Sequence, residues 1–118
     1  MPNEKEGKTI TDKQEINKII QEKIKGKKLI FTDWYSVGIM RKGISEEKFD
    51  EIFPNFDKVR VIEVEKTKKG DLGYELFYKM SNNTTFSIAM IPKENALFII
   101  HLIEYKRNLD HRFKKFKQ

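Results

Sequence analysis

The residues best suited to proton transfer and phosphate binding lie close together near the C-terminus. They include both histidines of the chain and two of its four arginines. The whole set is His101, Glu104, Tyr105, Arg107, His111 and Arg112. A histidine can act as a general acid while a nearby guanidinium holds a phosphate group. From this set we predict His101, Tyr105, Arg107 and His111 as candidate catalytic residues.

The same end of the chain is strongly basic. Residues 106–118 carry six cationic side chains and one acid, so they hold +5 of the total net charge of +6. Grouped cations attract phosphate through Coulomb forces and counterion release. A solvated terminal segment that only aids solubility would have the same charge composition. The predicted nucleic-acid contacts are Lys106, Arg112, Lys114 and Lys115 at this end of the chain, with Arg41 and Lys42 from a separate basic junction between two predicted helices.

Composition argues against several classes of protein. The 118 residues include no cysteine, which excludes disulfides, zinc-thiolate sites and cysteine catalysis. Two histidines ten residues apart argue against a metal site, and the chain has no glycine-rich nucleotide loop. No run approaches ~18 apolar residues, and the start of the chain does not resemble a signal peptide. We therefore expect a cytoplasmic protein without a metal, a cofactor or a membrane segment.

The first half of the chain has the periodicity of helices. Isoleucines at helical spacing predict a first helix that Thr11 caps and Gly26 ends. A second helix should cover residues 34–41, with Thr32 or Asp33 as its cap. A third should begin at Ser45 and stop before Pro54. Residues 29–31 fit either a strand or a packed connector.

From residue 58 the hydrophobic period changes to two. Alternation predicts strands over Val59 to Val64 and over residues 74–80, 85–91 and 96–105, with a bulge or a strand end near Val61 and Ile62. Strict alternation places His101 and Tyr105 on one strand face, together with Leu97, Ile99 and Ile103.

The order of these elements predicts an α+β fold. We expect a flexible tail over residues 1–9 and a single domain over residues 10–118. In that domain, N-terminal helices precede a four-stranded, mostly antiparallel sheet, and a basic helix follows from Lys106 to Phe116. We expect the last dozen residues to fold back, so that their cations border a concave face of the sheet.

The junction between the second and third helices resembles one in a known group of proteins. The segment Met40-Arg41-Lys42-Gly43-Ile44-Ser45-Glu46-Glu47, with Phe49 and the strands after it, resembles small RelE-type folds, in particular the BrnT toxins. The resemblance covers about residues 29–112. It implies two helices before a curved four-stranded sheet whose concave face holds RNA. It also implies a ribonuclease toxin that acts on mRNA or at the ribosome, with an antitoxin as partner.

Two other functions fit the same residues. A non-catalytic module that binds nucleic acid or a protein partner in a larger assembly would need few acid–base groups. A homodimer could also form through an exposed strand such as Val59 to Val64. RNA or another polyanion, a protein partner and a second copy of the chain therefore stay open as partners.

Overall fold

The computed structural model describes residues 7–44 and 47–109. These residues form three α-helices and six strands, with a π-helical turn after the first helix and a 3-10 turn before the third strand. The elements are β1 (Lys8–Ile10), α1 (Lys13–Ile19) with the π turn Ile20–Ile24, β2 (Lys28–Phe31), α2 (Asp33–Lys42), α3 (Glu47–Ile52), the 3-10 turn Phe56–Lys58, β3 (Val59–Lys66), β4 (Leu72–Ser81), β5 (Thr84–Pro92) and β6 (Ala96–Tyr105).

All six strands belong to one mixed sheet with the order β1-β3-β4-β5-β6-β2. Strands β3 to β6 are antiparallel neighbours, β1 pairs antiparallel with β3, and β2 pairs parallel with β6. The prediction of a four-stranded sheet with a C-terminal helix was therefore wrong. The last described element is strand β6, and residues 106–109 follow it without helical structure. The rest of the predicted helix lies outside the described residues.

The two strands at the edges of the sheet account for the error in strand number. Strand β1 has three residues and β2 has four, which is too short to show a hydrophobic period. Two residues assigned to the tail, Lys8 and Thr9, pair with Val64 and Glu63 of β3. Strand β1 covers this side of β3 at Ile62, Glu63 and Val64, which is half of the predicted edge from Val59 to Val64, and a strand-paired homodimer stays a prediction.

The three helices pack on one face of the sheet, which we call the helix face. The π turn after α1 buries Ile20 and Ile24, α2 buries Tyr35 and Ile39, and α3 buries Phe49. They meet strand residues that are fully buried, namely Ile62, Leu76, Tyr78, Ile88, Met90, Leu97 and Ile99. This core follows from the periods of helix and strand, because each element turns one apolar side inward.

Helix α2 lies beside the end of β6 that β2 does not reach. The Thr32 hydroxyl accepts a hydrogen bond from the Tyr35 amide (3.2 Å) and donates one to the Ile99 carbonyl (2.8 Å). Thr32 is thus the predicted N-cap, and it also ties the helix to the sheet. At the other end, Gly43 adopts a φ of +68°, which ends the helix in the left-handed conformation.

The first helix is capped differently from the prediction. The Asp12 carboxylate accepts a hydrogen bond from the Glu15 amide at 2.9 Å, so Asp12, and not Thr11, is the N-cap. Gly26 has the expected positive φ of +81° and follows the last helical turn.

The opposite side of the sheet, which we call the open face, carries no helix. Its register places the following residues on this side: Val61, Glu63, Glu75, Phe77, Ser87, Ala89, His101, Ile103 and Tyr105. Leu109 is buried against Val61 and Phe77, so residues 106–109 turn back over this face. The fold-back of the C-terminal segment is seen for these four residues only, because residues 110–118 lie outside the described part of the chain.

A bulge in β6 decides which side chains reach the open face. Met90 pairs with Ile99 and Ala89 pairs with His101, so Ile100 is an extra residue in β6. An extra residue reverses the alternation of a strand beyond it. The prediction that His101 shares a face with Leu97 and Ile99 was therefore wrong, because those two side chains lie in the helix-face core.

The predicted bulge in the third strand is present, one residue earlier than expected. Val59 pairs with Tyr78 and Val61 with Phe77, so the register shifts at Arg60. No helix among residues 7–44 and 47–109 is long and apolar enough to cross a membrane.

Candidate functional site

A groove of about 720 Å³ lies on the open face, at the end of the sheet where the β3–β4 loop lies. Two small residues, Gly73 and Ala89, lie in neighbouring strands of this region and leave space between larger side chains. The residues that line the groove and carry chemistry are Glu63, Glu65, Lys66, Lys68, Lys69, Asp71, Glu75 and His101, together with Trp34 from α2. The volume falls within the range of small-molecule and nucleotide sites.

A carboxylate and an imidazole meet in this groove. Nε2 of His101 lies 3.2 Å from Oε2 of Glu75, with the two side chains 33% and 23% exposed. Their strands are not neighbours, because β5 runs between β4 and β6. Ala89 is the register partner of both residues, and its methyl group is small enough for the longer side chains to meet across it.

This pair has the groups that acid–base catalysis requires. The carboxylate can accept a proton, and the imidazole can donate one when it is protonated. Their contact also fixes the orientation of the imidazole ring, since one ring nitrogen is held by the carboxylate. Partial exposure to the groove leaves both groups within reach of a bound substrate.

The β3–β4 loop is held in place beside the groove by its own hydrogen bonds. The Thr67 hydroxyl accepts from the Asp71 amide at 3.2 Å, and the Gly70 amide donates to the Thr67 carbonyl at 3.0 Å. Gly70 has a φ of +93°, which a residue with a side chain rarely adopts. An ion pair between Asp71 and Lys93 ties the loop to the β5–β6 turn.

The groove carries charges of both signs. Lys66, Lys68 and Lys69 come from the loop and its entry, whereas Glu63, Glu65 and Glu75 come from strands. A carboxylate repels phosphate and a lysine attracts it. A phosphate group would therefore lie at the lysine side of the groove, and the strand carboxylates would face the uncharged or protonated parts of a ligand.

Of the predicted catalytic residues, the structure places only His101 in the groove. Tyr105 lies on the same face, and four residues of extended strand separate the two by about 13 Å. The Tyr105 ring packs against Phe77 with centroids 6.3 Å apart, and the Arg107 guanidinium lies 5.7 Å from the Tyr105 ring centroid. Tyr105 and Arg107 thus form a second polar group on the open face, apart from His101. His111 lies outside the described residues.

The predicted nucleic-acid contacts are not gathered in one place. Lys42 donates a hydrogen bond from Nζ to the Leu102 carbonyl at 3.3 Å and so satisfies a backbone acceptor of β6. Arg41 lies on the exposed side of α2 and lines a smaller depression with Trp34 and Val37. Lys106 is exposed just after β6. Arg112, Lys114 and Lys115 lie outside the described residues.

Sequence reasoning missed three features of the site: Glu75, Trp34 and the lysines of the β3–β4 loop. Glu75 is the one acidic residue in β4, and its alternation with Tyr74 and Leu76 was a signal that it faces away from the core. Trp34 precedes the buried residue Tyr35, so the helical period already turns it outward.

Within the described part of the chain, no group of three or more His, Cys, Asp or Glu side chains is arranged to hold a metal ion. Comparison of the chain with protein-family models, with curated proteins and with solved structures finds no match. The resemblance to RelE-type folds therefore stays a prediction. The assignment of a function depends on the geometry of the open face.

Proposed function

We propose that the protein binds RNA along the open face of its sheet and cleaves it, with Glu75 and His101 as the acid–base groups. The observation that carries this proposal is the 3.2 Å contact between Glu75 and His101 in a groove that three lysines also line. RNA cleavage is also the class of activity that the resemblance to RelE-type ribonucleases implies. The histidine that the sequence singled out here has a carboxylate partner that the sequence did not suggest.

The chemistry follows from the two groups. The Glu75 carboxylate accepts the proton of a ribose 2′-hydroxyl, and the 2′-oxygen forms a bond to the adjacent phosphorus. The bond from phosphorus to the 5′-oxygen breaks, and protonated His101 donates its proton to that leaving oxygen. Lys66, Lys68 and Lys69 offer the positive charge that stabilises the phosphate as its negative charge rises.

The second polar group on the open face extends this surface. Tyr105 lies at the end of β6 on the same side as His101, and the guanidinium of Arg107, two residues after the strand, lies over its ring. An extended RNA strand that runs along β6 would contact both groups, since a guanidinium binds phosphate and a phenol ring stacks on a base. We expect Arg107 to contribute to binding and the Glu75–His101 pair to contribute to cleavage.

The test compares cleavage of a labelled oligoribonucleotide by the wild-type protein and by Glu75→Gln and His101→Asn. Each substitution removes one proton-transfer group with little change in size, so the rate constant should fall about 100-fold or more. Glu104→Gln is the matched control, because Glu104 is an exposed carboxylate in the same strand as His101 but on the opposite face.

The control should cleave at the wild-type rate. Identical purification of all four proteins reveals a contaminating nuclease, which would cleave equally in every sample. RNA that stays intact with the wild-type protein, or that is cut equally well by His101→Asn, would remove the catalytic part of the proposal.

A non-catalytic protein-binding module is the second candidate, and one observation favours it. Helix α2 exposes Trp34, Val37 and Met40 at a spacing of three residues, with 72%, 48% and 80% of each side chain accessible. Adjacent exposed apolar side chains are typical of interaction surfaces. This candidate predicts that the wild-type protein neither cuts RNA nor shifts its mobility at low salt.

A further inference from the structure

The single tryptophan of the chain is the most exposed aromatic residue of its region, in which Phe31 is 45% accessible. Trp34 is 72% accessible, whereas its neighbours Tyr35 and Phe49 are 6% and 1% accessible. Burial of an indole ring is strongly favourable, so an exposed one gives up stability that the fold could have gained. An accessible indole ring is available for contact with a ligand.

The indole ring lies between two depressions. One is the groove that contains His101, and the other is a shallower depression of about 480 Å³ on α2 that Asp33, Val37, Gly38 and Arg41 complete. A ligand in the groove could thus extend over Trp34 and reach the Arg41 guanidinium. Asp33 opposes an anion near the start of the helix, so the favourable position for a phosphate is the Arg41 side.

Gly38 keeps the space next to the indole ring open. It lies four residues after Trp34, the position whose side chain would cover the ring on the helix surface. A Cβ atom at Gly38 would meet nothing within 4 Å, so packing does not require glycine here. A small residue at this position, glycine or alanine, therefore leaves the indole face accessible.

We infer that Trp34 is a stacking platform for an unpaired base, and that Arg41 binds a neighbouring phosphate. The inference rests on the proposed function and names its substrate class as single-stranded RNA. An aromatic ring can stack only on a base whose face is free, and a paired base in a duplex is covered by its neighbours. The lysines of the β3–β4 loop and Arg41 supply the charge that such a strand requires.

Because Trp34 is the one tryptophan of the chain, tryptophan fluorescence reports on the surroundings of this ring alone. The probe is a short single-stranded oligonucleotide with 2′-O-methyl riboses, which cannot be cleaved through the 2′-hydroxyl. Stacking should quench the fluorescence in a saturable way, and a blunt duplex of the same sequence should not quench it. Double-stranded probe that quenches equally would overturn the inference.

Variants separate stacking from other effects. Trp34→Ala should weaken binding of the single strand about 5- to 150-fold by a mobility-shift assay, and Trp34→Phe should keep most of the affinity. Gly38→Leu should weaken binding and quenching because its side chain covers the ring, whereas Gly38→Ala should keep both. Equal affinity for wild type and Trp34→Ala would overturn the inference.

The design also separates this inference from the proposed catalysis. Glu75→Gln keeps Trp34, so it should still be quenched by the single strand. Quenching together with intact RNA would remove cleavage and leave the stacking platform supported. Cleavage of RNA without quenching would support the proposed catalysis and overturn the stacking platform. If no oligonucleotide changes the fluorescence, the inference fails. The exposed side of α2 would then fit the second candidate function, a protein-binding surface.

Discussion

The contact between Glu75 and His101 depends on a small side chain between them. Ala89 lies between Glu75 and His101 in the register, and its size allows a contact between residues on strands that are not neighbours. A larger residue at this position would fill the space in which the two side chains meet. Residue volume at one position thus decides whether an acid–base pair exists at all.

Substitution of Ala89 tests this dependence without a change to either of the proposed catalytic groups. Ala89→Leu should reduce RNA cleavage about as strongly as loss of His101, because its branched side chain separates the pair. Ala89 is partly exposed, so the fold should persist, as thermal unfolding would show. Ala89→Ser is the control and should cleave normally. A fully active Ala89→Leu protein would contradict the bridging role of this position.

Among the elements, α2 matters most to the site, because it carries both Trp34 and Arg41. Its position depends on two anchors to the exposed part of β6, one from Thr32 to the Ile99 carbonyl and one from Lys42 to the Leu102 carbonyl. The Ile99 carbonyl also accepts from the Thr32 amide at the end of β2, whereas Leu102 lies beyond the residues of β6 that pair with β2. The helix therefore completes the edge of the sheet while it holds the indole ring beside the groove.

Removal of the first anchor should weaken the fold measurably. Thr32→Ala loses the N-cap bond and the bond to Ile99, which together should lower the free energy of unfolding by about 1–3 kcal/mol in urea. Thr32→Ser keeps both hydrogen bonds of the hydroxyl and should lower the free energy of unfolding much less. Thr11→Ala should be nearly neutral, because Asp12 caps α1. A Thr11→Ala effect as large as that of Thr32→Ala would contradict these cap assignments.

For the whole molecule, the two outer strands protect the sheet from pairing with other chains. Strands β1 and β2 have three and four residues, whereas the strands between them have eight to ten. Short edge strands offer few free backbone groups to a second sheet. Strand β1 also buries Ile10, of which only 4% is accessible, in the helix-face core.

Deletion of residues 1–10 should therefore have two effects. The free energy of unfolding should fall by about 2 kcal/mol or more, mainly because the Ile10 side chain is lost from the core. The exposed β3 strand should also promote self-association, which sedimentation velocity would detect as a dependence of size on concentration. Deletion of residues 1–6 is the control. A shortened chain that stays as stable and as monomeric as the control would contradict the role of β1.

Several features of this protein were determined by local sequence. One of the two predicted caps, Thr32, and the four long strands follow from turn chemistry and hydrophobic period, which act within a few residues. These predictions succeeded because each depends on contacts between residues that are close in the chain. Residue type also singled out His101 as a candidate, and its role stays a prediction.

The tertiary structure decided the rest. The bulge at Ile100 arises from the pairing of β6 with β5, and it turns His101 to the open face. Glu75 becomes its partner because the strand order places β4 and β6 on either side of one alanine. Neither the bulge at Ile100 nor the contact between Glu75 and His101 produces a hydrophobic period that the sequence would show. The sequence by itself supplied the histidine and the strand that carries it, whereas its carboxylate partner and the groove depend on pairing between residues far apart in the chain.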